Sequence, residues 1–176
     1  MNIVLIGYRA SGKTTVGKLL AEKMGIPFRD TDVLVEKNVG MPVKEILALL
    51  GWSFFRCREK EVVENIDLRE NCVLATGGGV VLDPCNVELL KKMGIVIWLD
   101  APLHDIIERL KDDARSGNTR PQFTCGDIEA ETAEVLQRRL PLYREAADFT
   151  IDTAGKSALQ IAEEITGYWE KREKYH

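Results

Sequence analysis

The stretch that most constrains the fold is Gly7-Tyr8-Arg9-Ala10-Ser11-Gly12-Lys13-Thr14, which directly follows the apolar run Ile3-Val4-Leu5-Ile6. It fits G-x-x-x-x-G-K-[ST], and each fixed residue type answers a physical need. Glycines let the backbone turn so that successive N–H groups point at phosphate oxygens. Lys13 sets an ammonium against the β- and γ-phosphates, Thr14 offers a hydroxyl to Mg²⁺, and the helix that starts here turns its positive end toward the anion. The pattern asks for a strand before and a helix after. Ile3 to Ile6 is a short buried-strand run, and Val16, Leu19 and Leu20 recur at helical spacing until Gly25 and Pro27 stop the helix. Gly7, Ala10, Ser11, Gly12, Lys13, Thr14 and Thr15 are therefore the expected contacts of a nucleoside triphosphate. Binding alone does not separate a kinase from a switch or a motor.

The chain has 176 residues, 45% hydrophobic and 30% charged, which suits one soluble domain over residues 1–176 with a single sizeable core. A net charge of −4, with no Lys/Arg run standing out, gives no electrostatic case for nucleic acid. The cysteines at 57, 72, 85 and 125 lack C-x-x-C spacing, and His104 and His176 are the only histidines, which argues against zinc. Reduced thiols, a first strand with no basic leader before it, and no apolar run of roughly 18 residues predict a cytoplasmic protein off the membrane.

Further along, Ile26 to Arg29 reads as a second strand ending at Asp30-Thr31-Asp32. Two carboxylates then stand at a strand's C-terminal edge, where ligands collect in open α/β sheets, and Asp is also a good helix N-cap. Helical spacing over 33–50 is interrupted at Gly40-Met41-Pro42, predicting two short helices. Gly51-Trp52-Ser53-Phe54-Phe55-Arg56 opens another, running to about Arg69. An arginine in so apolar a setting is either paired or waiting for an anion, whereas Arg58 reads as a solvated helix charge. Cys72 to Ala75 is a third strand running into Thr76-Gly77-Gly78-Gly79, and three glycines after a strand call for close backbone approach to a ligand. This strand lacks the Walker-B aspartate of many phosphate-loop proteins, which leaves Asp30 as the nearest metal-side carboxylate.

Helices are expected over 84–92, 102–112, 127–146 and 157–171, with strands at 95–99 and 149–151. The apolar run Ile95-Val96-Ile97-Trp98-Leu99 is of the kind buried inside parallel sheets. The polar stretch from Asp113 to Gly126 holds Arg115, Asn118 and Arg120-Pro121, and a loop of that length in a compact domain reads as a functional lid.

Taken in order, these motifs resemble the shikimate kinases over nearly the whole chain. The resemblance rests on Gly-Lys-Thr-Thr-Val-Gly at 12–17, Phe-Arg-Asp-Thr-Asp at 28–32, Phe-Phe-Arg at 54–56 followed by Glu59, Gly-Gly-Gly at 77–79, Arg-Pro at 120–121 and Arg-Leu-Pro-Leu-Tyr at 139–143. It implies a three-layer α/β P-loop fold: a five-stranded parallel sheet flanked by helices, with an acceptor segment at about 32–61 and a lid at about 112–126. It also implies transfer of the γ-phosphoryl group of ATP to the 3-hydroxyl of shikimate, with Mg²⁺ as cofactor, in a protein expected to be a monomer. By position, Asp32, Arg56, Gly77, Gly78, Gly79 and Arg139 would bind shikimate, Arg56 and Arg139 clamping its carboxylate. Asp32 would be the base or orienting group, Thr14 and Asp30 would serve the metal, Lys13 and Arg120 would hold the transferring phosphoryl group, and Arg109 would stack on adenine.

Two departures stand out: the lid reads Arg-Pro-Gln-Phe where the family commonly has Arg-Pro-Leu-Leu, and residues 152–157 lack the proline often found there. Two alternatives stay open on residues alone. One is another small-molecule P-loop kinase, such as a gluconate or nucleoside monophosphate kinase; the other is a nucleotide-binding relative without catalysis. A guanine-specific switch would need Asn-Lys-x-Asp after a late strand, and the sequence has none.

Overall fold

The computed structural model describes residues 2–66, 71–115 and 127–173. Five strands form one parallel sheet in the order β2-β3-β1-β4-β5: β1 Asn2–Ile6, β2 Phe28–Asp30, β3 Val73–Ala75, β4 Gly94–Asp100 and β5 Phe149–Asp152. The helices between them are α1 Lys13–Met24, α2 Thr31–Val39, α3 Val43–Glu64, α4 Pro84–Met93, α5 Leu103–Arg115, α6 Ile128–Ala146 and α7 Ala158–Glu173; a 3₁₀ turn at Val80–Leu82 precedes α4.

The layers follow from the twofold alternation of β side chains. Ile3 and Leu5 of β1 point to one face with Val73, Ile97 and Ile151, where Val16 and Leu20 of α1 and Ile161 and Ile165 of α7 cover them. Val4 and Ile6 point to the other with Leu74, Val96 and Trp98, under Leu90 of α4, Ile106 and Leu110 of α5 and Leu136 and Tyr143 of α6. Both faces being covered, β1 and β3 are buried from end to end, as a parallel sheet requires. The second glycine of Gly-Lys-Thr-Thr-Val-Gly belongs to this packing: a Cβ on Gly17 would come within 2.5 Å of the Phe28 ring. A third apolar cluster, Val35, Val43, Ile46, Leu47, Phe55 and Val62, joins α2 to α3.

The sheet positions the site through its order. β1 lies between β3 and β4, so the turn after β1 opens where the connections diverge to opposite sides, the usual ligand crevice of such sheets.

The structure differs from the sequence reading in three places. β2 begins at Phe28 and ends on Asp30, so that carboxylate closes the strand and caps the next helix. The span Val43–Glu64 is two helices meeting at a kink at Gly51, where the sequence predicts a helix to open. Gly51 takes φ 78 and ψ 174, a non-helical conformation essentially confined to glycine, which interrupts the helical path inside α3. That helix ends at Glu64 rather than near Arg69. α5 runs through Arg115, so Asp113 to Arg115 are helical rather than lid loop. Residues 116–126, with Arg120 and Cys125, lie outside the described residues. Pro141 sits inside α6 and forfeits the bond to the Gln137 carbonyl, and both residues are exposed. Among the described residues, Cys57, Cys72 and Cys85 are free thiols. No described helix is long and apolar enough to cross a membrane.

Candidate active site

The turn after β1 is wound as the glycines allow. Gly12, at φ 96, caps α1, and Ala10 takes a left-handed φ of 62 although it is not glycine. Lys13 is buried, and its ammonium donates to the carbonyls of Gly7 at 2.8 Å and Tyr8 at 2.7 Å and to Ser11 Oγ at 3.3 Å. The charge is thus held at the mouth of the turn, beside the N-terminal amides of α1. Arg109 of α5 donates to the carbonyl of Ala10 at 3.1 Å and lies 3.8 Å from Asp105, so it grips the rim of the loop at its strained residue. Thr14 and Thr15 are exposed on the first turn of α1.

Asp30 does two jobs. One oxygen accepts the Asp32 amide at 3.0 Å, which caps α2, and the other accepts the Thr14 hydroxyl at 2.9 Å. Burial raises the Asp30 carboxyl above its ordinary value and the Asp32 charge adds to the rise, against the Thr14 and Asp32 hydrogen bonds and Lys13. A hard cation suits this pair: it is a carboxylate and a hydroxyl in contact, both oxygen donors, beside a phosphate cradle. Mg²⁺ characteristically takes one or two carboxylates and completes its shell with water and phosphate. No group of three or more His, Cys, Asp or Glu residues placed to hold a metal by themselves occurs among the described residues.

The three glycines after β3 each have a different neighbour. The Gly77 amide donates to Thr31 Oγ1 at 2.9 Å, and a Cβ there would lie 2.5 Å from Glu59 Oε1 and 2.9 Å from Asp32 Oδ1. At Gly78 it would come within 2.7 Å of the Arg9 amide nitrogen, and at Gly79 it would strike the Arg56 guanidinium. The sequence predicts approach of a ligand at this loop. What the structure adds is approach of the protein itself: two carboxylates, the phosphate-binding turn and an arginine all close on backbone that no side chain shields.

Arg56 is paired, the first of the two options its setting left open. Its guanidinium meets Glu59 Oε2 at 2.5 Å, with Glu59 only 1% exposed, and lies over the rings of Trp52 and Phe55 at 5.4 and 5.2 Å. Arg139 arrives from α6 and donates to the Gly78 carbonyl at 3.0 Å. Tyr143, one turn on, donates to the same oxygen at 2.5 Å, its ring stacked on Trp98. Burial drives the Tyr143 hydroxyl well above its ordinary value despite the opposing Arg139 charge, so it stays a donor. Two guanidinium groups thereby meet at Gly78-Gly79, with Asp32 alongside at Gly77. Arg58 is less solvated than expected, pairing with Glu61 at 2.6 Å over the Phe54 ring.

The expected site residues among those described gather at this crevice, with Thr15 exposed beside Thr14 on the first turn of α1, and Arg120 lies outside the described residues. Sequence reasoning passed over Thr31, Glu59 and Tyr143. Helical spacing held a signal for two of them, since Glu59 follows Arg56 by three residues and Tyr143 follows Arg139 by four, placing each pair on one helix face. Thr31 had none, because its partner is an amide 46 positions away.

Comparison with known proteins agrees with this geometry. The sequence profile of the family described as shikimate kinase matches residues 9–169. A shikimate kinase of Syntrophus aciditrophicus is 45% identical, covering 93% of this chain and 88% of that one. One of Thermodesulfovibrio yellowstonii is 44% identical, covering 97% and 95%. Among solved structures, the shikimate kinase from Acinetobacter baumannii in complex with shikimate superposes with a TM-score of 0.89 at 37% identity, over 97% of this chain and 93% of that chain.

Proposed function

The chain belongs to the shikimate kinase family, and from that premise we propose how its residues divide the transfer of the γ-phosphoryl group of ATP to the 3-hydroxyl of shikimate, which yields shikimate 3-phosphate and ADP. The observation that carries the assignment of roles is the meeting of Arg56 and Arg139 at Gly78-Gly79, beside Asp32 and against the phosphate-binding turn.

Planar guanidinium forks match a carboxylate, so Arg56 and Arg139 hold that of shikimate. Glu59 keeps Arg56 aimed, as the Gly78 carbonyl does for Arg139. Asp32 accepts the hydroxyl hydrogen bonds of the ring and orients or deprotonates the attacking oxygen. Lys13 exchanges the carbonyls of Gly7 and Tyr8 for phosphate oxygens, and with Arg120 it stabilises the charge spreading over the phosphoryl group, where most catalysis of this reaction lies. Thr14 and Asp30 would hold Mg²⁺, which neutralises charge on the β- and γ-phosphates when bound. Gly7, Ala10, Ser11, Gly12 and Thr15 line the triphosphate and Arg109 the adenine. In one domain, the acceptor segment about 32–61 and the lid expected at about 112–126, shortened by the part that belongs to α5, frame the two substrates, and lid closure keeps water from competing with the alcohol. The protein works as a cytoplasmic monomer.

Release of ADP, followed by a coupled assay with shikimate, gluconate and nucleoside monophosphates in turn, tests the acceptor. Turnover confined to shikimate is the expected result. Comparable turnover with gluconate would overturn the carboxylate clamp as the basis of selectivity, and ATP binding without ADP release from any acceptor would favour a binding-only relative.

A further inference from the structure

Arg9 and Glu131 occupy no fixed position of the phosphate-binding pattern, yet they meet. Arg9 Nη2 lies 3.6 Å from Glu131 Oε1, with the two side chains 13% and 3% exposed. A carboxylate so nearly enclosed is costly to strip of water, and a pair of this kind is weak as a source of stability. Its position suggests another use. Arg9 belongs to the phosphate-binding turn, while Glu131 stands in the first turn of α6, the helix that carries Arg139 and Tyr143 to the Gly78 carbonyl.

The turn is pressed from two directions at this point. On one side is the acceptor loop, where Gly78 leaves only enough room for the Arg9 amide. On the other is α6, whose Arg139 guanidinium lies 5.8 Å from the centre of the Tyr8 ring while Arg9 lies 5.9 Å from it. The Arg9–Glu131 pair ties the outer edge of the donor half to the same helix that grips the acceptor half.

We infer that Glu131 is a positioning residue: acting through Arg9, it sets the spacing between the phosphate-binding turn and α6, and so the approach of the acceptor hydroxyl to the phosphoryl group. It touches neither substrate. The inference rests on the acceptor and donor roles proposed above, and a displacement on the order of 1 Å between reacting groups costs about 100-fold in rate.

The test is a double-mutant cycle of Glu131→Gln, Arg9→Gln and both together, joined by Glu131→Asp. For Glu131→Gln, kcat should fall about 10-fold or more, while dissociation constants for ADP and for shikimate, measured separately by calorimetry, change less than about 3-fold, since each half keeps its own contacts. The double variant should be no slower than the slower single variant, the signature of two residues acting as one unit. Glu131→Asp, which keeps the charge, should recover part of kcat. The inference is overturned if Glu131→Gln turns over like the unaltered protein, if the single losses multiply in the double variant, or if the loss vanishes once rates are scaled to the folded fraction. Should Glu131→Gln fail to fold, Glu131→Asp and the double variant still decide, the same outcomes applying. Failure of the unaltered protein to release ADP with shikimate would instead defeat the acceptor reading, a result the cycle cannot produce.

Discussion

The two halves of the proposed site are built in opposite ways. The donor half is one contiguous turn of eight residues whose working groups are mostly backbone: amides at the start of α1, with the Gly7 and Tyr8 carbonyls holding Lys13. The acceptor half is made of side chains from α2, α3 and α6 brought onto a glycine loop that contributes a bare backbone. A phosphate chain is recognised by repeated charge and amide dipoles, which a local turn supplies. A chiral hydroxy-carboxylate needs charges and acceptors on several sides at once, and only distant segments supply those. The donor half should therefore fail all at once, and the acceptor half piece by piece.

The largest break is Lys13→Met. Turnover should fall about 1,000-fold, the upper range for removing one charge-stabilising donor. The melting temperature should also drop by a few degrees, because the carbonyls of Gly7 and Tyr8 lose their common donor. Arg139→Ala comes next and should strike one half only. Removing one partner of a buried charged contact costs about 2 to 5 kcal/mol, or roughly 30- to 4,000-fold in shikimate affinity, with KM for ATP within about 3-fold. Equal losses for both substrates would erase the division between the halves.

Gly51→Ala probes the acceptor half through its backbone. At φ 78 and ψ 174 any side chain is strained, so stability should fall by about 1 to 3 kcal/mol in urea unfolding. The folded fraction should bind shikimate less well and ATP as before, because the kink aims Arg56 and not the phosphate turn. Tyr143→Phe removes one of two donors to the Gly78 carbonyl and should cost about 1 kcal/mol, seen as roughly a 5-fold fall in kcat/KM for shikimate. The smallest effect lies outside both halves. Burial, and next the Asp152 charge, raise the Asp100 carboxyl, so the folded chain holds that proton more tightly than the unfolded chain does. Stability from this group is present below its ordinary value of 3.8 and is lost as pH climbs through the raised folded value. Asp100→Asn should therefore melt slightly higher than the parent at neutral pH, with the gap closing in acid; a gap constant with pH would refute the assignment.

Much of this was readable before any coordinates. Apolar runs flanked by helical spacing located the strands and most helices, because a parallel sheet buried on both faces writes itself as continuous Val, Ile and Leu. Asp30 was legible as a helix cap, and its residue type and place at a strand end allow the proposed metal-side role as well. Gly51 was legible as a break between two helices, because glycine is the residue that takes φ 78 and ψ 174 without strain. Glu59 was quoted in a motif and given no role, because a glutamate on a helix is ordinarily a surface charge and only packing shows it enclosed.

By itself the sequence determined the phosphate-binding turn and the alternation of strands and helices. These are local properties, fixed by residue type, spacing and backbone freedom within a few positions. Tertiary structure alone decided that Gly77, Gly78 and Gly79 answer to Glu59 and Asp32, to Arg9 and to Arg56, that Tyr143 and Arg139 share one carbonyl, and that Arg9 meets Glu131. The physical reason is that each contact joins chain segments whose distance is set by the packing of helices on the sheet, and no periodicity in one segment records where another will land.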